Sequence, residues 1–88
     1  MYKYFDKNNK EFESEMHFLT AKELCTVFDI RKGDKLPYVR LGKALEFAGF
    51  PWYYYRPNPK STFNQVKVYD YKSLTFREIN LLKSVLGD

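Results

Sequence analysis

Leu41-Gly42-Lys43-Ala44-Leu45-Glu46-Phe47-Ala48-Gly49-Phe50, running directly into Pro51-Trp52-Tyr53-Tyr54-Tyr55-Arg56, is the stretch on which the reading of this 88-residue chain turns. Leu41, Ala44, Leu45 and Ala48 stand at i, i+3, i+4 and i+7, the spacing of one narrow apolar face on a helix. Arg40, Lys43 and Phe47 then fall on another side. Pro37 suits the first turn, where its missing N–H would have had no partner. Gly49 fits the left-handed position that ends a helix, and Pro51 bars its continuation. A helix is therefore predicted over 37–48, followed at once by the β-forming run Trp52 to Arg56.

Upstream, Leu19-Thr20-Ala21-Lys22-Glu23 is a capping box in which Thr20 accepts from the Glu23 N–H and the Glu23 carboxylate reaches back to the Thr20 N–H. A helix is predicted from there, with Leu24, Val27 and Phe28 as its apolar stripe and Ile30 extending it. Arg31-Lys32-Gly33-Asp34-Lys35 breaks the pattern as a polar, basic loop. Further back, Met1 to Phe5 reads as a short strand or an arm, and Asp6 to Lys10 as a turn. Glu11 to His17 is read as one or two helical turns with Phe12 and Met16 facing inward at i and i+4.

Downstream, Gln65 to Tyr71 alternates with period two, which puts Val66 and Val68 on one face and Lys67, Tyr69 and Tyr71 on the other. This run is expected to pair with Trp52 to Arg56 as a hairpin. Its tip, Pro57 to Asn64, holds two prolines and is expected to project and stay partly mobile. Alternation turns either Trp52 and Tyr54 or else Tyr53 and Tyr55 into the core, and leaves the other pair outward beside a strip formed by Tyr69, Tyr71 and Lys67. Thr75 and Glu78 repeat the capping-box spacing. The last helix carries Ile79, Leu82 and Leu86 as a stripe, widened by Leu81 and Val85, and Gly87 ends it.

Hydrophobic residues at 44% and aromatics at 19% exceed what a disordered chain carries, and 88 residues allow one core. A single domain is expected: 1–17 as an N-terminal arm or weak first helix, 18–71 as the helical pair and hairpin, 72–88 as the C-terminal helix. Charge is unevenly spread. Residues 1–30 hold four lysines or arginines against six acids, whereas 31–72 hold nine against three. That basic middle attracts phosphate backbones or an acidic partner. Cys25 is the sole cysteine, so neither an intramolecular disulfide nor a cysteine-based metal site is expected, and the cytoplasm is the natural compartment. No secretory leader or membrane-spanning run is read in the sequence.

Catalysis has strict requirements, and no cluster meets them. His17 is the only histidine and no nucleophile motif is tied to it. Glu11, Glu13 and Glu15 alternate on a solvated segment, which suits neither an acid/base pair nor a metal cage. The four glycines are scattered and build no phosphate loop. No cofactor and no enzyme activity are expected. The basic set is the stronger signal: Arg40 and Lys43 on the second helix, Arg31, Lys32 and Lys35 in the loop before it, and Arg56, Lys60 and Lys67 on the hairpin. Arg40, whose guanidinium can bond guanine bidentately, is the first choice for a base contact, with Lys43 second.

A capped helix, a basic loop, a second helix ending in Gly49-Phe50 and a two-stranded hairpin follow one another in the order of a winged helix-turn-helix, an α+β fold which residues 18–71 resemble. More narrowly, Leu41-Gly42-Lys43-Ala44-Leu45, Gly49-Phe50 and the strand Val66-Lys67-Val68-Tyr69 look like the small C-terminal domain of phage and plasmid primase-helicases. They also resemble the tail of virulence-associated-protein-E-like proteins of mobile elements. The resemblance implies a non-catalytic DNA-binding domain, duplex being favoured over single strand, with Arg40 and Lys43 on the recognition helix and Lys60 and Lys67 on the wing. A weak first helix and a helix added after the wing depart from the pattern. That last helix, together with the aromatic hairpin face, frames the alternative: a protein-interaction module, with a homodimer as one form of it.

Overall fold

The structure is a computed structural model that describes residues 1–58, 60 and 64–87. Its elements, in chain order, are β1 (Tyr2–Phe5), β2 (Glu11–Ser14), α1 (Ala21–Val27), α2 (Tyr38–Phe47), β3 (Trp52–Tyr55), β4 (Val66–Tyr69) and α3 (Phe76–Leu86), with a single 3-10 turn at Tyr71–Ser73 before α3. The strands form one antiparallel sheet in the order β2-β1-β3-β4, so this is an α+β fold of three helices and a four-stranded sheet.

Both capping boxes form. The Glu23 N–H donates to Thr20 Oγ1 at 3.2 Å and the Thr20 N–H to Glu23 Oε1 at 3.0 Å. The same pair of bonds joins Thr75 and Glu78 at 3.2 and 3.1 Å. Each box satisfies two amides that a helix start would otherwise leave without partners. At the end of α2, Gly49 takes φ +84°, a left-handed conformation that costs a glycine little. Pro37 stands at the N-cap of α2, one residue before the first helical position.

The hairpin pairs as its alternation requires, Trp52 with Tyr69, Tyr53 with Val68, Tyr54 with Lys67 and Tyr55 with Val66. β3 is nevertheless a central strand, because Phe5 of β1 pairs with Tyr54 on its other side. At β4, successive side chains enter two different cores. Tyr69 joins Leu24, Cys25, Ile30, Leu41, Leu45 and Leu86 beneath the helices, whereas Val68 joins Tyr4 and Phe18 on the opposite face. Neither pair of the Trp52–Tyr55 run is simply outward. Trp52 packs on the helical core and Tyr53 on the second one, so the sheet is used on both sides.

Three further expectations are corrected. Glu11 to His17 is not helical: Glu11–Ser14 is strand β2, paired with β1 from Tyr2↔Ser14 to Phe5↔Glu11. Period two fits it better, since Phe12 enters the second core while Glu11 and Glu13 face water. Met16 reaches the same core through a bend in which its N–H donates to Ser14 Oγ at 3.1 Å, so the inward pair Phe12 and Met16 survives without a helix. In α1, Val27 is 61% exposed, and Cys25 with Leu24 makes the buried stripe instead. A seven-residue helix offers one narrow face, and Ile30 closes it when the chain turns at Asp29 (φ +55°). On α2, Ala48 is exposed and Gly42 takes its place on the buried face. The projecting tip read at Pro59 and Ser61 to Phe63 lies outside the described residues.

Candidate nucleic-acid interface

The helix α2 buries Leu41, Gly42 and Leu45, which leaves Val39, Arg40, Lys43 and Phe47 on its outer side. Phe47 is 95% exposed. The close seat of this helix depends on Gly42, because a Cβ there would lie 2.9 Å from the Tyr69 hydroxyl. That hydroxyl is pushed up to about 12 by burial first and then by the Glu46 carboxylate beside it. Tyr69 is thus a neutral phenol at ordinary pH, wedged under the helix that carries the outer cations.

The eight basic residues singled out in the sequence divide by what already holds them. Arg31 Nε is 2.9 Å from Asp29 Oδ1, an exposed pair. Lys32 and Lys35 frame the tight turn at Gly33-Asp34, where their backbones exchange bonds of 2.9 and 3.1 Å and Gly33 takes φ +63°. Their side chains stand free beside the start of α2, with no acid in range among the described residues. Arg40 and Lys43 are exposed on α2 and likewise unpaired among the described residues.

Two of the hairpin cations, Arg56 and Lys67, are engaged. Arg56 lies over the Phe5 ring, 3.9 Å from its centroid, donates to Gln65 Oε1 at 3.1 Å, and also bonds the Asn9 side-chain oxygen. Lys67 is 2.7 Å from Glu46 Oε1 and lies 4.5 Å from the centre of the Trp52 ring. Lys60 is exposed, its N–H bonded to Asn58 Oδ1 at 3.1 Å. Arg56 and Lys67 therefore tie the hairpin to the sheet and to α2.

Lys22 was missed by sequence reading. It belongs to the first turn of α1 and, with Lys43 and Lys67, lines a groove of about 520 Å³ between the start of α1, α2 and β4. Among the described residues the only acid lining it is Glu46, already paired with Lys67. Its signal was a lysine inside the capping box, in the exposed first turn of a helix. Lys7 was missed too. It lies 5.0 Å from the Trp52 ring centre, brought there by the β1–β2 turn that the sequence marked only as a turn.

His17 stacks on Tyr2, centroids 4.8 Å apart and planes 14° apart, at the exposed edge of the aromatic core. Burial pushes the Cys25 thiol up, so it is an inert core group. Among the described residues no three His, Cys, Asp or Glu side chains gather as metal ligands would, and no helix is long and apolar enough to cross a membrane. Comparisons of the chain with protein-family models, with curated proteins and with solved structures found no match.

Proposed function

We propose that this chain is a non-catalytic DNA-binding domain that presents the outer face of α2 to the nucleic acid. One observation carries the reading: Arg40 and Lys43 project from the same exposed helix side with no acidic partner among the described residues, beside Lys32 and Lys35 at the preceding turn. The nearest acid on the helix, Glu46, is neutralised by Lys67. Free cations on a rigid helix gain most from phosphate contact, because counterions leave while no internal ion pair is broken.

The order α1, tight turn, α2, β3–β4 hairpin is that of a winged helix-turn-helix and supports placing the domain in that class. The reading of the hairpin as a wing changes in character, since its cations Arg56 and Lys67 are held by Phe5, Trp52 and Glu46. In this proposal α2 and the Lys32–Lys35 turn supply the contacts, and the hairpin supplies support. Membership of a mobile-element or phage replication or regulatory protein remains part of the same proposal.

Electrophoretic binding to duplex and single-stranded DNA at two salt concentrations tests it. Affinity should fall steeply with salt, and the double change Arg40→Ala with Lys43→Ala should lower the slope of log K against log salt by about 2, one for each lost phosphate contact. No shift of either DNA at low salt would end the reading. The second reading, a protein-interaction module, is favoured by apolar side chains left in water on α3: Phe76 at 80% and Leu81 at 63% exposed.

A further inference from the structure

We propose that the groove at the outer edge of β4 accepts one extended, acidic peptide segment of a partner protein as an added strand. The argument begins with the backbone. Tyr69 donates its N–H to the Leu19 carbonyl at 2.7 Å and accepts the Leu19 N–H at 3.4 Å, so its polar groups point away from β3. Asp70, one residue on, turns its N–H to Pro51 O beyond the end of β3 at 3.1 Å. The alternation of an antiparallel ladder sends the Lys67 N–H and C=O to the same outer side as those of Tyr69.

Leu19 begins a strand-like partner for that edge and then abandons it. At Thr20 the chain caps α1, so among the described residues no strand occupies the position opposite Lys67. Among the described residues no backbone or side-chain group bonds the outward Lys67 amide and carbonyl. An open edge with free donors and acceptors is the template on which extended peptides add.

The groove over this edge has a largely apolar lining, including Val39, Gly42 and Val66, and three lysines, Lys22, Lys43 and Lys67. Glu46 cancels one of those charges, which leaves Lys22 and Lys43 for an acidic ligand. The occupant is a single chain. Residues Thr20 to Lys22 wall the side facing β4, and a sheet edge arriving with its own neighbouring strand meets that wall. The acidic strand β2 of a second copy, which carries Glu11 and Glu13 but is flanked by its own β1, is barred for this reason. Lys43 lines the groove and is shared with the proposed DNA contact, whereas Arg40 does not line it and so tells the two sites apart.

The test is an amide NMR titration of the full chain with the blocked pentapeptide Glu-Val-Glu-Val-Glu, alongside the same peptide with proline at its centre. Saturable shifts and slowed hydrogen exchange are expected at Lys67, with shifts at Gly42, for the first peptide and not for the second. Lys22→Glu should weaken binding by about threefold to tenfold through like-charge repulsion. Arg40→Ala should leave peptide binding unchanged whether or not it abolishes DNA binding. The proposal falls if Lys67 does not respond at about 1 mM peptide, the weak end of specific affinity. It falls also if the proline peptide binds equally well, if the Lys67 amide shifts with protein concentration alone, or if an oligonucleotide rather than the peptide occupies this edge.

Discussion

Beneath the helices the sheet meets an aliphatic core, Leu24, Ile30, Leu41, Leu45 and Leu86, with the ring of Tyr69 buried among them. Across the same sheet the core is made of rings: Tyr4 lies 4.8 Å from Phe18, Phe18 5.2 Å from Tyr53, and Tyr53 4.7 Å from Phe12. The difference follows from what covers each face. Helices bring branched side chains in rows that interdigitate. Among the described residues the opposite face is covered by the short irregular segment that carries Met16 and Phe18, and large flat side chains with a polar end fill the space that a helix would have filled. Tyr4 shows how that end is used. Its hydroxyl donates to the Met16 carbonyl at 3.2 Å and accepts the Phe18 N–H at 3.0 Å, pinning the covering segment to the sheet.

The harshest way to break this comparison is to empty the aliphatic side. Leu45 is 1% exposed, and Leu45→Ala removes its packing while the helix above relaxes only in part. A loss of about 2–5 kcal/mol is expected in chemical denaturation. In a domain of this size that is a large share of the stability, so the variant should unfold at a clearly lower denaturant concentration and temperature. A loss below about 1 kcal/mol would mean that α2 is not the keystone of the fold.

The aliphatic core was legible in the sequence because its information is local. Thr20 with Glu23, Thr75 with Glu78, and Gly49 before Pro51 mark helix ends within a few residues, and the stripes Leu41/Leu45 and Ile79/Leu82/Leu86 repeat within a turn. The aromatic core depends on pairing between distant residues. Tyr4 faces Phe12 across a hairpin and then Phe18 and Tyr53, and no short-range spacing announces those contacts. For that reason Glu11 to His17 read as a helix when Phe12 and Met16 were considered alone. The site divided in the same way. Exposure of Arg40 and Lys43 followed from helical period, whereas the capture of Lys67 by Glu46 and of Arg56 by Phe5 required the tertiary fold.

On the aromatic side the matching break is Tyr4→Phe, which keeps the ring and deletes the hydroxyl. The Phe18 N–H and the Met16 carbonyl then lose their partner, at a cost of about 1–3 kcal/mol. The change should be smaller than that of Leu45→Ala and more local. Hydrogen exchange at Phe18 should accelerate more than at Leu41, because the segment over the rings opens without unfolding α2. Equal acceleration at both amides would show that the two faces unfold as one unit.

Tyr69 is the ring buried on the aliphatic side, and its phenol sharpens the comparison through pH. At neutral pH, Tyr69→Phe is expected to be the mildest of the three changes: the ring stays, and the lost hydroxyl contacts Gly42 and Glu46 where Tyr4 satisfies two backbone groups. The alkaline range is different. In the folded chain the hydroxyl is raised to about 12, against about 10 when unfolded, so between those values the folded state holds a proton that the unfolded state has released. The contribution of Tyr69 to stability is therefore complete below pH 10 and is lost as pH rises through the folded value. Burial also raises Tyr4, so part of the alkaline decline belongs to the aromatic side. Urea midpoints at pH 9 and pH 11 separate the two shares: Tyr69→Phe should flatten the decline more than Tyr4→Phe does. An unchanged decline in Tyr69→Phe would mean that the phenol beneath α2 is not held neutral by its burial and by Glu46.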